Sequence, residues 1–86
     1  HYAPHAKVKL GRMEELLRQH GDLRYGILSF EKDYQHPYQM ILSSKGDLEE
    51  AARRLFDALR AFDNMPIDVI LAETVPDVGL GRAIND

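Results

Sequence analysis

Polar and apolar positions repeat with two different periods along this chain, and the changes between them predict its elements. Residues 7–10 alternate polar with apolar side chains, as a short strand does. Residues 13–20 then carry apolar side chains at helical spacing. Gly11 ahead of this helix is interpreted as a turn or N-cap, and Gly21 as the residue that follows the last turn and closes it.

The middle of the chain predicts two more strands and the longest helix. The strands are expected at residues 25–30 and 38–42, with a polar loop over 31–37. Asp47 is a favourable N-cap, and Glu50 three residues later fits a capping box. The helix that follows has one predicted apolar stripe, which consists of Leu48, Ala52, Leu55, Leu59 and Phe62.

The last strand is expected at residues 67–72, which are strongly apolar except for Asp68 and are predicted to form the central strand, buried on both faces. A loop with Pro76 follows, and a further helix is expected from Leu80. Helices that alternate with strands in this way predict an α/β fold, with a mostly parallel sheet and helices on both of its faces.

Composition narrows the class of protein. The 86 residues suffice for one domain, and 44% of them are hydrophobic. The absence of cysteine excludes disulfides and thiolate metal sites and favours a cytosolic setting. The net charge of −3 without a basic block argues against autonomous nucleic-acid binding. The start at His1 and the final helix that has barely begun predict a fragment of a longer enzyme.

Two turns that precede predicted helices carry residue types that can hold a phosphate group. The first lacks the glycine spacing of a P-loop, and the second lacks the third glycine of the dinucleotide fingerprint. A polar turn and a tight packing turn are therefore the favoured interpretations, and anion binding is the alternative for both. The residues concerned are Ser43, Ser44 and Lys45 in the first turn, and Gly79, Gly81 and Arg82 in the second.

The sequence predicts no metal site and no catalytic group of its own. The four histidines lie at positions without a repeated ligand spacing. No arrangement of the Ser-His-Asp or Cys-His type can be assembled. Glu73, at the end of the predicted central strand, is interpreted as a solvated loop carboxylate because nothing in the sequence supplies a partner for it.

The two ends of the chain resemble a known family. His-Tyr-Ala-Pro at residues 1–4, Ile-Leu-Ala-Glu at 70–73 and the stretch Val-Gly-Leu-Gly-Arg-Ala-Ile-Asn-Asp at 78–86 together resemble the C-terminal domain of two-domain, YrdC-type threonylcarbamoyl-AMP synthases. The resemblance implies a Rossmann-like, three-layer α/β/α sandwich with a sheet of about four strands. Residues 1–6 would be the remnant of an interdomain linker and 7–86 an accessory domain, with the catalytic domain upstream of residue 1.

The resemblance also implies an activity for the parent enzyme. Such a nucleotidyltransferase condenses L-threonine, bicarbonate and ATP, with Mg²⁺, into threonylcarbamoyl-adenylate for a tRNA modification in the cytoplasm. This chain alone is expected to be non-catalytic, to hold no cofactor, and to contact its own catalytic domain rather than nucleic acid or membrane. The family's linker lies over the catalytic cleft, so His1, Tyr2 and Pro4 are expected to form part of a substrate lid.

Two alternatives from other classes stay open. The first is a free-standing nucleotide- or phosphate-binding module that uses one of the two turns described above. The second is a dimerisation domain that pairs through an apolar edge strand at residues 38–42.

Overall fold

A computed structural model describes residues 5–74, and four strands and two helices account for most of them. A 3₁₀ turn at Phe62–Asn64 continues the second helix. In chain order the elements are β1 (Lys7–Gly11), α1 (Met13–His20), β2 (Tyr25–Ser29), β3 (Gln39–Ile41), α2 (Leu48–Ala61) and β4 (Val69–Glu73).

The four strands form one sheet in the order β1-β4-β2-β3, and each neighbouring pair is parallel. Val69 at the start of β4 lies opposite both Lys7 of β1 and Tyr25 of β2. Gln39 of the edge strand β3 lies opposite Ile27. The last described strand is thus the central one, as predicted, and its residues 69–72 are buried.

The two faces of the sheet are covered by different helices. Ile27, Val69 and Leu71 pack on one face with Met13 and Leu16 of α1. Leu28, Ile70 and Ala72 point to the opposite face because side chains alternate along a strand. There they pack with residues of α2 and the turn that follows it: Ala51, Leu55, Ala58, Leu59 and Phe62. This confirms the predicted α/β class and the three-layer arrangement.

The connection from β2 to β3 contains no helix. The intervening loop, residues 30–38, instead packs Tyr34 against the cluster on the α1 face. A parallel pair of strands usually requires a helical crossover. Here Tyr34 of a short loop takes the place of a crossover helix against that cluster.

Three details of the predicted helices are corrected. Gly11 is the last residue of β1, and Arg12 occupies the N-cap of α1. Gly21 caps α1 with a φ of −67°, so it is not in the left-handed conformation of a C′ glycine. In the predicted stripe of α2, Leu48 is 43% exposed and Ala52 is also exposed, because the face that meets the sheet is centred on Leu55 and includes Ala51 and Ala58.

The central strand also begins later than predicted. It starts at Val69 rather than at residue 67, and Asp68 lies just outside it. Asp68 is exposed and pairs with Arg24, so a charged residue does not interrupt the buried strand. The expected loop with Pro76, the helix from Leu80 and the linker residues 1–4 lie outside the described residues. Neither described helix is long and apolar enough to cross a membrane.

Candidate functional site

Glu73 joins β4 to the loop after β2 at the carboxyl end of the sheet, where ligands of parallel α/β folds usually bind. It is the last residue of β4 and lies opposite Gly11 of β1. Its Oε1 accepts a hydrogen bond from the backbone N–H of Phe30 at 3.1 Å, and its Oε2 accepts one from the Tyr34 hydroxyl at 2.8 Å. The interpretation of Glu73 as a solvated carboxylate without a partner was therefore wrong.

The Tyr34 phenol is held in its neutral form by these surroundings. Burial, followed by the hydrogen bond and the negative charge of Glu73, raises the pKa of Tyr34 to about 12. The Lys32 ammonium lies over the ring, 4.9 Å from its centre. At neutral pH Tyr34 is thus a hydrogen-bond donor that keeps its proton, and it is poorly suited to serve as a general base.

Gln39 holds the loop that carries Tyr34. Its side-chain amide accepts from the Tyr34 backbone N–H at 3.0 Å and donates to the carbonyl of Lys32 at 3.0 Å and to the Ser29 hydroxyl at 3.0 Å. Ser29 is fully buried and itself donates to the Lys32 carbonyl at 2.8 Å. These bonds orient the loop, so Tyr34 reaches Glu73 from a fixed backbone.

A second polar cluster occupies the N-terminus of α2. The buried Ser43 hydroxyl donates to Glu50 Oε1 at 2.6 Å and accepts from the Asp47 backbone N–H at 2.9 Å. Asp47 caps the helix by accepting from the backbone N–H groups of Glu49 at 2.9 Å and Glu50 at 3.4 Å. The predicted N-cap is confirmed, but Glu50 turns to Ser43 instead of closing the capping box.

This cluster bears on the predicted phosphate site. The Ser43 hydroxyl is engaged with a carboxylate, and the first-turn amides that an anion would use already bond to Asp47. Ser44 and Lys45 are exposed on the turn. Anion binding there stays a prediction. The other predicted site residues lie outside the described range: His1, Tyr2, Pro4, Gly79, Gly81 and Arg82.

The amino end of the sheet carries a different kind of surface. The rings of Tyr25 and His36 stack with centres 4.4 Å apart, and Tyr38 meets His36 edge-on at 6.0 Å. His36 Nε2 donates to the Tyr25 carbonyl at 2.8 Å, which fixes its ring. A pocket of about 290 Å³ opens here, lined by Leu23, Arg24, Tyr25, His36, Tyr38 and Pro66. Sequence reasoning missed it, because the rings come from separate segments with no shared spacing.

The charged group in the wall of this pocket is paired. Arg24 donates through Nε and Nη2 to the two carboxylate oxygens of Asp68, both at 2.9 Å. The guanidinium lowers the pKa of Asp68, mainly through these hydrogen bonds, and the carboxylate raises the pKa of Arg24. The planar two-bond geometry matches a carboxylate to a guanidinium and leaves little net charge at the pocket.

The chain enters the sheet at the same end. The backbone N–H of His5 donates to Asp63 Oδ1 at 3.3 Å, and the His5 ring lies 3.7 Å from the same oxygen. Asp63 belongs to the 3₁₀ turn after α2. The segment ahead of β1 is therefore attached to the domain just before the first strand. Within residues 5–74, no three His, Asp or Glu side chains gather closely enough to hold a metal ion.

The amino-acid sequence of this chain is similar to those of known proteins. Residues 1–86 match the family described as threonylcarbamoyl-AMP synthase, C-terminal domain. The threonylcarbamoyl-AMP synthase of Bacillus subtilis is 37% identical over 94 aligned positions, which cover 98% of this chain and 27% of that protein. The Pyrococcus abyssi enzyme of the same name is 57% identical over 37 residues, 43% of this chain and 11% of that protein. The chain thus spans about a quarter or less of these relatives.

Solved structures agree with the sequence matches. The C-terminal Sua5 domain of a Pyrococcus horikoshii protein superposes with a TM-score of 0.65 at 30% identity, over 96% of this chain and 89% of that one. Pyrococcus abyssi Sua5 complexed with L-threonine gives a TM-score of 0.71 at 35% identity, over 99% of this chain and 27% of that one. The chain belongs to the family of threonylcarbamoyl-AMP synthase C-terminal domains.

Proposed function

We propose that this chain is the accessory domain of an enzyme that makes threonylcarbamoyl-adenylate from L-threonine, bicarbonate and ATP with Mg²⁺, for tRNA modification in the cytoplasm. The family match over residues 1–86 supports the identity of the parent enzyme. The L-threonine complex of the similar Pyrococcus abyssi protein supports L-threonine as its substrate. The chemistry belongs to the preceding catalytic domain, which is the main partner of this chain.

Within that enzyme, the domain positions the linker that covers the active site. The single observation that carries this role is the attachment of His5 to Asp63, because it fixes the chain directly after the linker residues His1, Tyr2 and Pro4. A lid that is anchored at one end loses less conformational freedom when it closes. Closure excludes water from the reactive adenylate during its formation.

The polar groups at the carboxyl end of the sheet favour this accessory role. These side chains hydrogen-bond to one another or to the backbone, which is typical of groups with a structural role. They are Glu73, Tyr34, Ser43 and Glu50. The raised pKa of Tyr34 keeps a titratable phenol neutral. A nucleotide-binding module would instead present free amides or hydroxyls at this end.

Deletion of residues 7–86 from the full-length enzyme tests the proposal. We expect a lower rate of adenylate formation and more hydrolysed adenylate released into solution, while the catalytic domain stays folded by circular dichroism. A sharper variant is Asp63→Ala, which removes the acceptor of the His5 N–H and is expected to reproduce part of the same leakage. An unchanged rate and unchanged leakage in the deletion variant would contradict the accessory role.

A further inference from the structure

We propose that the aromatic pocket at the amino end of the sheet is where the preceding catalytic domain docks, by inserting an apolar side chain between the rings. The pocket is the one lined by Leu23, Arg24, Tyr25, His36, Tyr38 and Pro66. This inference rests on the proposed function, since it takes the catalytic domain as the partner, and it goes further by naming the docking surface.

Strand direction places the pocket at the same end of the sheet as the point where the chain enters. The strands are parallel, so their amino ends form one row across the sheet. Lys7 of β1 and Tyr25 of β2 both lie opposite Val69, and two strand spacings put them roughly 10 Å apart. His5 is attached to Asp63 at this same end. The chain is therefore attached to the domain at the end of the sheet that carries the pocket.

The relatives indicate how much protein has to be placed there. The chain covers 27% of the Bacillus subtilis protein and 27% of the Pyrococcus abyssi structure. The matched family is a C-terminal domain, so the remainder lies on the N-terminal side. The amino end of the sheet is the part of this domain closest to that connection.

The chemistry of the pocket selects an apolar occupant. Leu23 is 48% exposed and adds its apolar surface to that of the rings in the pocket wall. The Arg24 guanidinium is paired with Asp68 through two bonds of 2.9 Å, so it is not free to hold a phosphate group in the pocket. Buried aromatic and apolar anchors are the residue types that dominate docking energy between protein surfaces.

The pocket is also formed in advance. The stacking of Tyr25 and His36 and the bond from His36 Nε2 to the Tyr25 carbonyl hold both rings in place. A rigid pocket requires little ordering when a side chain enters, which favours docking at a tethered interface. The loop that carries His36 is also held near Tyr34, because the Tyr34 backbone N–H donates to the Gln39 side chain.

The matched leucines Leu23 and Leu48 provide the test in the full-length enzyme. Both are exposed, by 48% and 43%, but Leu48 lies on the outer side of α2 and away from the pocket. We expect Leu23→Glu to lower the ratio of docked to undocked domains at least about tenfold. Small-angle scattering would then show a larger radius of gyration, whereas Leu48→Glu would leave it unchanged.

An unchanged radius of gyration in Leu23→Glu, or an equal increase in Leu48→Glu, would overturn the inference. A molecular mass halved by Leu23→Glu would overturn it as well, because it would identify a second copy of the protein as the occupant of the pocket. If Leu23→Glu disturbs the circular dichroism spectrum, Leu23→Ser with Leu48→Ser as its control replaces it. A deletion of 7–86 that lowers the rate, combined with no effect of Leu23→Glu on the radius, contradicts only the docking surface. A deletion without effect contradicts the proposed function itself.

Discussion

The two ends of the sheet are built from different interactions. At the carboxyl end, polar side chains bond to one another, as Glu73 does with Tyr34 and Ser43 with Glu50. At the amino end, rings stack around an open apolar pocket, and the nearby charges of Arg24 and Asp68 cancel. The carboxyl end usually binds ligands in this class of fold, but here these polar side chains bond to one another. The amino end instead has an open apolar pocket.

Different substitutions should therefore weaken the two ends, and the largest effect is expected where packing at the amino end is tightest. A Cβ added to Gly26 would lie 2.7 Å from Phe62 Cε1 and 2.8 Å from Ile67 Cδ1. Phe62 is only 2% exposed, so its ring cannot turn away into solvent without leaving the core. We expect Gly26→Ala to lower the free energy of unfolding by about 2–3 kcal/mol, measured by urea denaturation.

Gly11→Ala is the control for that substitution. Its added Cβ would meet Leu16 Cδ2 at 3.4 Å, an ordinary contact, so we expect a change within about 0.5 kcal/mol. Equal effects at the two glycines would contradict the claim that the amino end depends on close packing against Phe62.

At the carboxyl end, removal of the Glu73 carboxylate should leave two hydrogen-bond donors without their acceptor. Glu73→Ala removes the acceptor of the Phe30 N–H and of the Tyr34 hydroxyl, and we expect destabilisation of about 1–2 kcal/mol by urea denaturation. Glu73→Gln keeps one acceptor oxygen and should lose about half as much. An exposed carboxylate such as Glu15, changed to Ala, serves as the control. If Glu73→Gln were as unstable as Glu73→Ala, the negative charge of Glu73, and not the number of its hydrogen bonds, would account for its contribution to stability.

A smaller effect is expected for the phenol alone. Tyr34→Phe should reduce stability by about 1 kcal/mol, because Glu73 keeps its other donor. In the wild type, the phenol ionises near pH 12 in the folded state and near pH 10 in the unfolded state. The stability from its raised pKa is thus fully present below about pH 10 and is lost as the pH rises to about 12.

The pH dependence can be followed by the ultraviolet absorbance of phenolate. Tyr34→Phe should remove the last ionisation step and flatten the loss of stability above about pH 10. Tyr38→Phe, which alters a ring at the other end of the sheet, should leave that last step in place. A late step that survives in Tyr34→Phe would show that another tyrosine carries the raised pKa.

The smallest effect concerns the exposed ion pair at the amino end. The hydrogen bonds that Arg24 donates lower the pKa of Asp68. The stability that this pair adds to the folded state is therefore present above the ordinary carboxyl pKa and is lost as the pH falls below about 4. Asp68→Asn should remove this dependence, as seen by carboxyl-carbon NMR titration and acid denaturation. High salt should weaken the pair as well, because both groups are exposed to solvent.

Sequence patterning predicted the layers of the fold well, because they depend on burial with a regular period. The central strand was predicted at residues 67–72 from their apolar run, and residues 69–72 do lie in β4. The apolar stripe of α2 was predicted in part, since Leu55, Leu59 and Phe62 are buried as expected. Its other members were misassigned, because Leu48 and Ala52 fit a helical stripe as well as the buried Ala51 and Ala58 do. Only the position of the sheet decides between the two faces, and that is a long-range property.

The site was harder to predict than the fold for the same reason. Glu73 was recognised at the end of the central strand, but its donors Phe30 and Tyr34 lie 43 and 39 residues away in the chain. The stacking of Tyr25 and His36 depends on a loop whose path has no periodic signal. Contacts between such distant segments follow from the strand order, which the sequence pattern left undetermined.

That strand order has a consequence for how the chain folds. β1 and β2 are separated by β4 and do not pair with each other, so until residues 69–73 are available β1 has no partner and β2 has only β3. During synthesis, most of the domain has left the ribosome before its sheet can close. Sheet assembly is then a late and non-local step, which predicts slow folding for a domain of this size. A chain that stops before Val69 would leave β1 without any partner and one edge of β2 unpaired, both exposed to aggregation.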